Sequence, residues 1–98
     1  MQIHHSIKGL REQLSVHRRN GLRIGFVPTM GNLHDGHLAL VAQARETNDI
    51  VVCSIFVNAL QFSLNDDWDQ YPRTFVADCE KLRASRCDYL FSPADSEM

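Results

Sequence analysis

The run "DIVVCSIFVN", Asp49 to Asn58, constrains the fold more than any other part of the chain. Between its polar ends it is almost wholly apolar and rich in β-branched residues, with no alternation of polar and apolar positions. A strand of that kind is buried on both faces, as in a parallel sheet covered by helices. The surrounding sequence supplies the other elements. From Ser6 to Arg19, Ile7, Leu10, Leu14 and His17 recur at three- and four-residue spacing, the pattern of an amphipathic helix. Asn20-Gly21 ends it, since both residues tolerate the left-handed conformation of a helix C-cap. "RIGFVP", Arg23 to Pro28, reads as a buried strand, with Pro28 marking its end because proline cannot donate to a ladder.

After the turn "TMGNLHDG" a second helix is expected from His34 or Gly36 to Asn48, with Leu38, Val41 and Ala44 on its buried face. A polar, irregular stretch, Ala59 to Arg73, follows the central run. Thr74 is placed to cap a third helix in which Phe75, Cys79 and Leu82 share a face. "CDYLFS", Cys87 to Ser92, reads as a third strand. The expected architecture is therefore α/β: a three-stranded parallel sheet with flanking helices, joined by right-handed crossovers. That is half of a doubly wound, Rossmann-like nucleotide-binding fold, with one apolar sheet edge left open. Residues 1–98 are accordingly expected to be one portion of a larger domain.

Composition narrows the function classes. Hydrophobic residues make up 44% and charged residues 22%, ordinary for a soluble globular protein. A formal charge of −2 argues against a nucleic-acid or membrane-surface binder. No apolar segment is long enough to span a bilayer, and "MQIHHSIKGL" lacks the hydrophobic core of a signal peptide. Cys53, Cys79 and Cys87 are scattered, with no C-x-x-C pair, which suits reduced thiols in a cytoplasm.

The chemistry concentrates in "VPTMGNLHDGHLALV", Val27 to Val41. Ligands of open α/β sheets bind beyond the carboxyl ends of the strands, and this stretch lies at such an exit. Gly31 and Gly36 let backbone approach a ligand, and the following helix aims its first N–H groups and positive dipole end at the same spot. His34 and His37 add donors in the first turn. Three readings compete for the histidine pair: a metal site, two surface side chains, or a phosphate cradle. No nearby residue makes a convincing third metal ligand, so no metal site is expected. Strand-end position and helix onset favour anion binding, although the glycines form neither G-x-G-x-x-G nor a P-loop.

"HDGH" resembles the H-x-G-H signature of the nucleotidyltransferase superfamily. Together, "VPTMGNLHDGHLALV", "SIFVNALQF", "YPRT" and "DCEKL" resemble the pantoate–β-alanine ligase family, from the first helix to the end of the chain. One departure is Ala59, where that family usually has proline after the asparagine of "FVN". The resemblance implies an ATP-dependent, AMP-forming ligase that condenses pantoate with β-alanine through a pantoyl adenylate, with Mg2+ carried by the ATP phosphates. It implies that His37 and His34 are catalytic. It implies an ATP site from Met30, Gly31, Asn32, Leu33, His34, Asp35, Gly36 and His37. It also implies that Gln61, Asn58, Pro28, Thr29 and Met30 contact pantoate or β-alanine, while Phe62 reads either as a wall of that pocket or as a buried core aromatic.

The family chain is much longer and carries a further lysine, whereas this chain has only Lys8 and Lys81, both expected on helices away from the strand ends. The 98 residues are therefore expected to be inactive alone, and to pair as a homodimer or self-associate through the open edge. Two alternatives stand beside this reading: another H-x-G-H adenylyl- or cytidylyltransferase, or a non-catalytic self-associating fragment.

Overall fold

Ser6 starts the first helix in the expected way. Its hydroxyl accepts the Gly9 N–H at 3.1 Å, and α1 runs Ile7–Arg19 before Asn20 and Gly21, the latter at φ 77°, turn the chain. The computed structural model describes residues 1–56 and 71–93. Within them the order continues β2 (Ile24–Thr29), α2 (Asp35–Thr47), β3 (Ile50–Ile55), α3 (Tyr71–Ala84) and β4 (Tyr89–Phe91). Before α1 lies a strand that the sequence reading lacks, β1 (Gln2–His4). The sheet thus has four strands rather than three, all parallel, in the order β1-β4-β3-β2. Three residues are too few to show a period of two, and β1 is fixed by pairing Gln2, Ile3 and His4 with Tyr89, Leu90 and Phe91.

Topology decides which face each helix covers. The chain crosses the sheet in one direction from β1 to β2, and returns through β3 to β4. Right-handed crossovers in opposite directions place their helices on opposite faces. One face accordingly carries Val27, Val51, Cys53, Ile55 and Leu90 against Val41 of α2 and Cys79 and Leu82 of α3. The other carries Val52 and Tyr89 against Leu10 and Leu14 of α1. Val51 to Ile55 are all buried, as a strand covered on both sides should be.

Two element boundaries correct the sequence reading. Pro28 lies inside β2, which continues to Thr29. It is tolerated there because β2 has a strand neighbour on one side only among the described residues, and an edge strand can lack a donor. The third helix begins at Tyr71 rather than after a Thr74 cap, with Pro72 in its first turn, where a missing N–H leaves no intrahelical bond unmade. Among the described residues no helix is long and apolar enough to cross a membrane.

Candidate functional site

The site is built where β2 hands over to α2. Thr29 closes the strand by donating its hydroxyl to the Ser54 carbonyl at 2.9 Å and accepting the Gly31 N–H at 3.2 Å. Gly31 and Asn32 then both adopt left-handed backbone, φ 87° and 52°. Glycine adopts it freely, and asparagine is among the few other residues that do so at small cost. The chain reverses there and drives the Leu33 side chain, 2% exposed, into the core.

His34 is the N-cap of α2, with extended backbone. Its Nδ1 accepts the Gly36 N–H at 3.0 Å, while the His34 N–H donates to His37 Nδ1 at 3.2 Å. This is a reciprocal capping box made by two imidazoles instead of a serine and a glutamate. The rings lie 4.1 Å apart between centroids, tilted 40°. Because each Nδ1 accepts a backbone N–H, each neutral ring carries its proton on Nε2. The cap therefore fixes both tautomers and leaves one Nε2–H donor per ring at a helix N-terminus. That set suits an anion such as a phosphate. Burial and the neighbouring His34 lower the pKa of His37, with Asp78 opposing them in part. The neutral, donor-bearing form is thereby favoured.

Gly36 has a task besides letting backbone approach a ligand. A Cβ there would sit 2.8 Å from His34 Cε1 and 3.0 Å from His34 Nδ1. Its bareness makes room for the capping ring itself. Asp35 opens the first turn of α2 and is exposed, favourable beside the positive end of the helix dipole.

Beside the turn, on the face of α1, lies a groove of about 400 Å³ at the carboxyl ends of β2, β3 and β4. Pro28, Thr29 and Met30 line it with Ser54, Phe56 and Phe91. Three of the acid-binding candidates thus meet in one concavity that adjoins the histidine turn. Asn58, Gln61, Phe62 and the departure at Ala59 lie outside the described residues.

Two side chains that hold the turn escaped the sequence reading. Asp78, 1% exposed, accepts the Asn32 and Leu33 N–H groups, each at 2.9 Å. Lys81, expected away from the strand ends, donates Nζ to the Leu33 carbonyl at 2.8 Å. The signal was present in the helix pattern: Asp78 sits between Phe75 and Leu82, a carboxylate inside an apolar stripe. A buried charge of that kind needs a partner across the fold. Among the described residues, no group of three or more His, Cys, Asp or Glu is gathered to hold a metal ion.

A parallel sheet with flanking helices and a donor-bearing turn at the exit of a strand defines an α/β protein of the Rossmann-like kind. Comparison with known proteins specifies which. The sequence profile of pantoate–beta-alanine ligase matches residues 2–98, and the chain belongs to that family. It is similar to the pantothenate synthetase of Cellvibrio japonicus, 61% identical over the whole of this chain and 35% of that protein's length. It is also similar to that of Saccharophagus degradans, 56% identical over the whole chain and 34% of the relative. Among solved structures, the pantoate–beta-alanine ligase of Francisella tularensis, complexed with beta-gamma ATP and beta-alanine, superposes with a TM-score of 0.78. The two are 38% identical, over 99% of this chain and 37% of that one. The pantothenate synthetase of Thermus thermophilus superposes with a TM-score of 0.76, at 42% identity over the whole chain and 34% of its own. The chain thus spans 34–35% of the length of these curated relatives.

Proposed function

We propose that this chain is the N-terminal portion of the nucleotide-binding domain of an enzyme that condenses pantoate with β-alanine at the expense of ATP. The observation that carries the reading is the histidine turn, intact in sequence and capped at the exit of β2, in a chain matched by the family over residues 2–98. In the first step a pantoate carboxylate oxygen bonds to the α-phosphorus and the bond to the pyrophosphate oxygen breaks. In the second, the β-alanine nitrogen bonds to the acyl carbon, AMP leaves with the carboxylate oxygen, and the amine loses a proton.

The residues of this chain contribute donors and shape. His34 and His37 offer Nε2–H groups to the phosphate oxygens, where negative charge gathers as pyrophosphate departs. The α2 N-terminus adds its dipole. The nucleotide contacts fall within Met30 to His37, at groups other than the Asn32 and Leu33 amides, which Asp78 already takes. Pro28, Thr29 and Met30 wall the acid side, with Asn58 and Gln61 supplying polar contacts to pantoate or β-alanine. Mg2+ enters with ATP as part of the substrate. Further chain completes the sheet beside β2, where Phe26 and Leu40 stand half exposed along a groove. A homodimer of the full-length protein, or self-association of the 98 residues alone through the edge then left open, and a cytoplasmic location belong to the same reading.

The test is pantoate-dependent exchange of pyrophosphate into ATP by the full-length protein, followed by AMP release on adding β-alanine. Exchange that requires pantoate supports the proposal. Exchange with a different acceptor, or none, overturns it in favour of another nucleotidyl transfer or a binding role.

A further inference from the structure

Asp78 and Lys81 stand one turn apart on α3, and together they take up both backbone polar groups of Leu33. Asp78 also takes the N–H of Asn32. Consecutive N–H groups that converge after a left-handed residue form a small anion-binding concavity. Here that concavity is already filled by an internal carboxylate. The Asn32 and Leu33 amides are thus withdrawn from any incoming anion, and the histidine pair and the first turn of α2 are what the turn still offers. The clamp ends at Leu33, one residue before the His34 N-cap, so it also sets where α2 starts and where both rings stand.

Resting on the reading above, we propose that Asp78, assisted by Lys81, is a positioning residue for phosphate binding. It holds Gly31 and Asn32 in left-handed backbone, with Leu33 clamped behind them, so that His34 and His37 are aimed before ATP arrives. A buried carboxylate is a costly way to hold a loop if only packing is required, since an apolar residue in the same stripe would pack without desolvating a charge. What the carboxylate alone supplies is two directed acceptors on adjacent N–H groups. Asparagine at the same position keeps one acceptor and turns an NH2 group toward the other amide.

The experiment compares Asp78→Asn and Lys81→Met with the unaltered full-length protein in pantoate-dependent exchange, with rates normalised to the folded fraction. Expected is a loss of about 10–100-fold in kcat for Asp78→Asn, because a small displacement of donors from the developing charge is enough for that. Lys81→Met is expected to lose less. The acid limb of the rate profile is expected to move to lower pH in Asp78→Asn, since Asp78 raises the pKa of His37. Unchanged kcat per folded molecule in both variants, with an unmoved acid limb, would overturn the proposal. Where Asp78→Asn does not fold, Lys81→Met is decisive: full kcat overturns the proposal and reduced kcat supports it. Hydrogen exchange at the Asn32 and Leu33 amides separates the two readings. If the unaltered protein shows no pantoate-dependent exchange, the proposed reaction fails, while the clamp still stands or falls on whether Asp78→Asn unprotects those two amides.

Discussion

Removing the His37 imidazole should raise the barrier to adenylate formation by about 2–4 kcal/mol, as loss of one preorganised donor to a developing charge does. Pyrophosphate exchange by His37→Ala in the full-length protein measures it, and an unchanged rate removes His37 from the chemistry. Gly36 makes a sharper test, because two effects oppose there. Alanine in a helix ordinarily stabilises by about 0.5–1 kcal/mol relative to glycine. At position 36, however, the new Cβ would meet the His34 ring at 2.8 Å and push it from its capping place. Gly36→Ala is therefore expected to weaken ATP binding while leaving the thermal midpoint nearly where it was, read by titration calorimetry beside a melting curve. The cysteines make the complementary point about inert side chains. Burial pushes the Cys53 thiol up to about 12 and raises those of Cys79 and Cys87 as well, so all three stay protonated near neutrality. A thiol-specific reagent should react with them only as fast as the core opens.

The second helix is the element on which pH acts. The pKa of His37 is lowered from its ordinary 6.5, so its neutral form is the one the fold prefers. The stability it lends is whole above 6.5 and is lost as the pH falls through the lower, folded-state value. The loss has a structural course: a protonated Nδ1 can no longer accept the His34 N–H, and the cationic ring faces the positive end of the helix dipole. Acidification should unprotect the His34 amide before the sheet, followed by hydrogen exchange at a series of pH values. Both ends of α2 were legible in the sequence because His34 and Asn48 are its caps and the apolar spacing between them is regular. Local rules failed where a neighbour outranked them. Thr74 looked like a cap, but Pro72 lets the helix begin earlier. Pro28 looked like a strand end, but an edge position absorbs it. The Asp78 and Lys81 clamp lies 45 to 48 residues from its targets, beyond any local pattern, and only the charge in an apolar stripe hinted at it.

At the scale of the molecule the core is shared between helix and sheet. Leu82 of α3 is fully buried against the face of β3, so Leu82→Ala should cost about 2–5 kcal/mol in urea unfolding. The 98-residue polypeptide by itself is expected to bind ATP weakly and to show no measurable exchange beside the full-length protein. Among the described residues its donors for phosphate at the turn are the two imidazoles and the α2 dipole, Lys81 being engaged with Leu33. Strand order has a consequence in time as well as in space. Gln2 pairs with Tyr89, so the first strand made is hydrogen-bonded to the last one described. During synthesis β1 emerges early and has no partner until nearly ninety residues later, whereas β2 and β3 can pair as soon as α2 has been made. Closure of the sheet at β1 and β4 is thus the slowest pairing to assemble, and the nascent chain passes through a stage in which β2 and β3 are paired while β1 still waits for its neighbour.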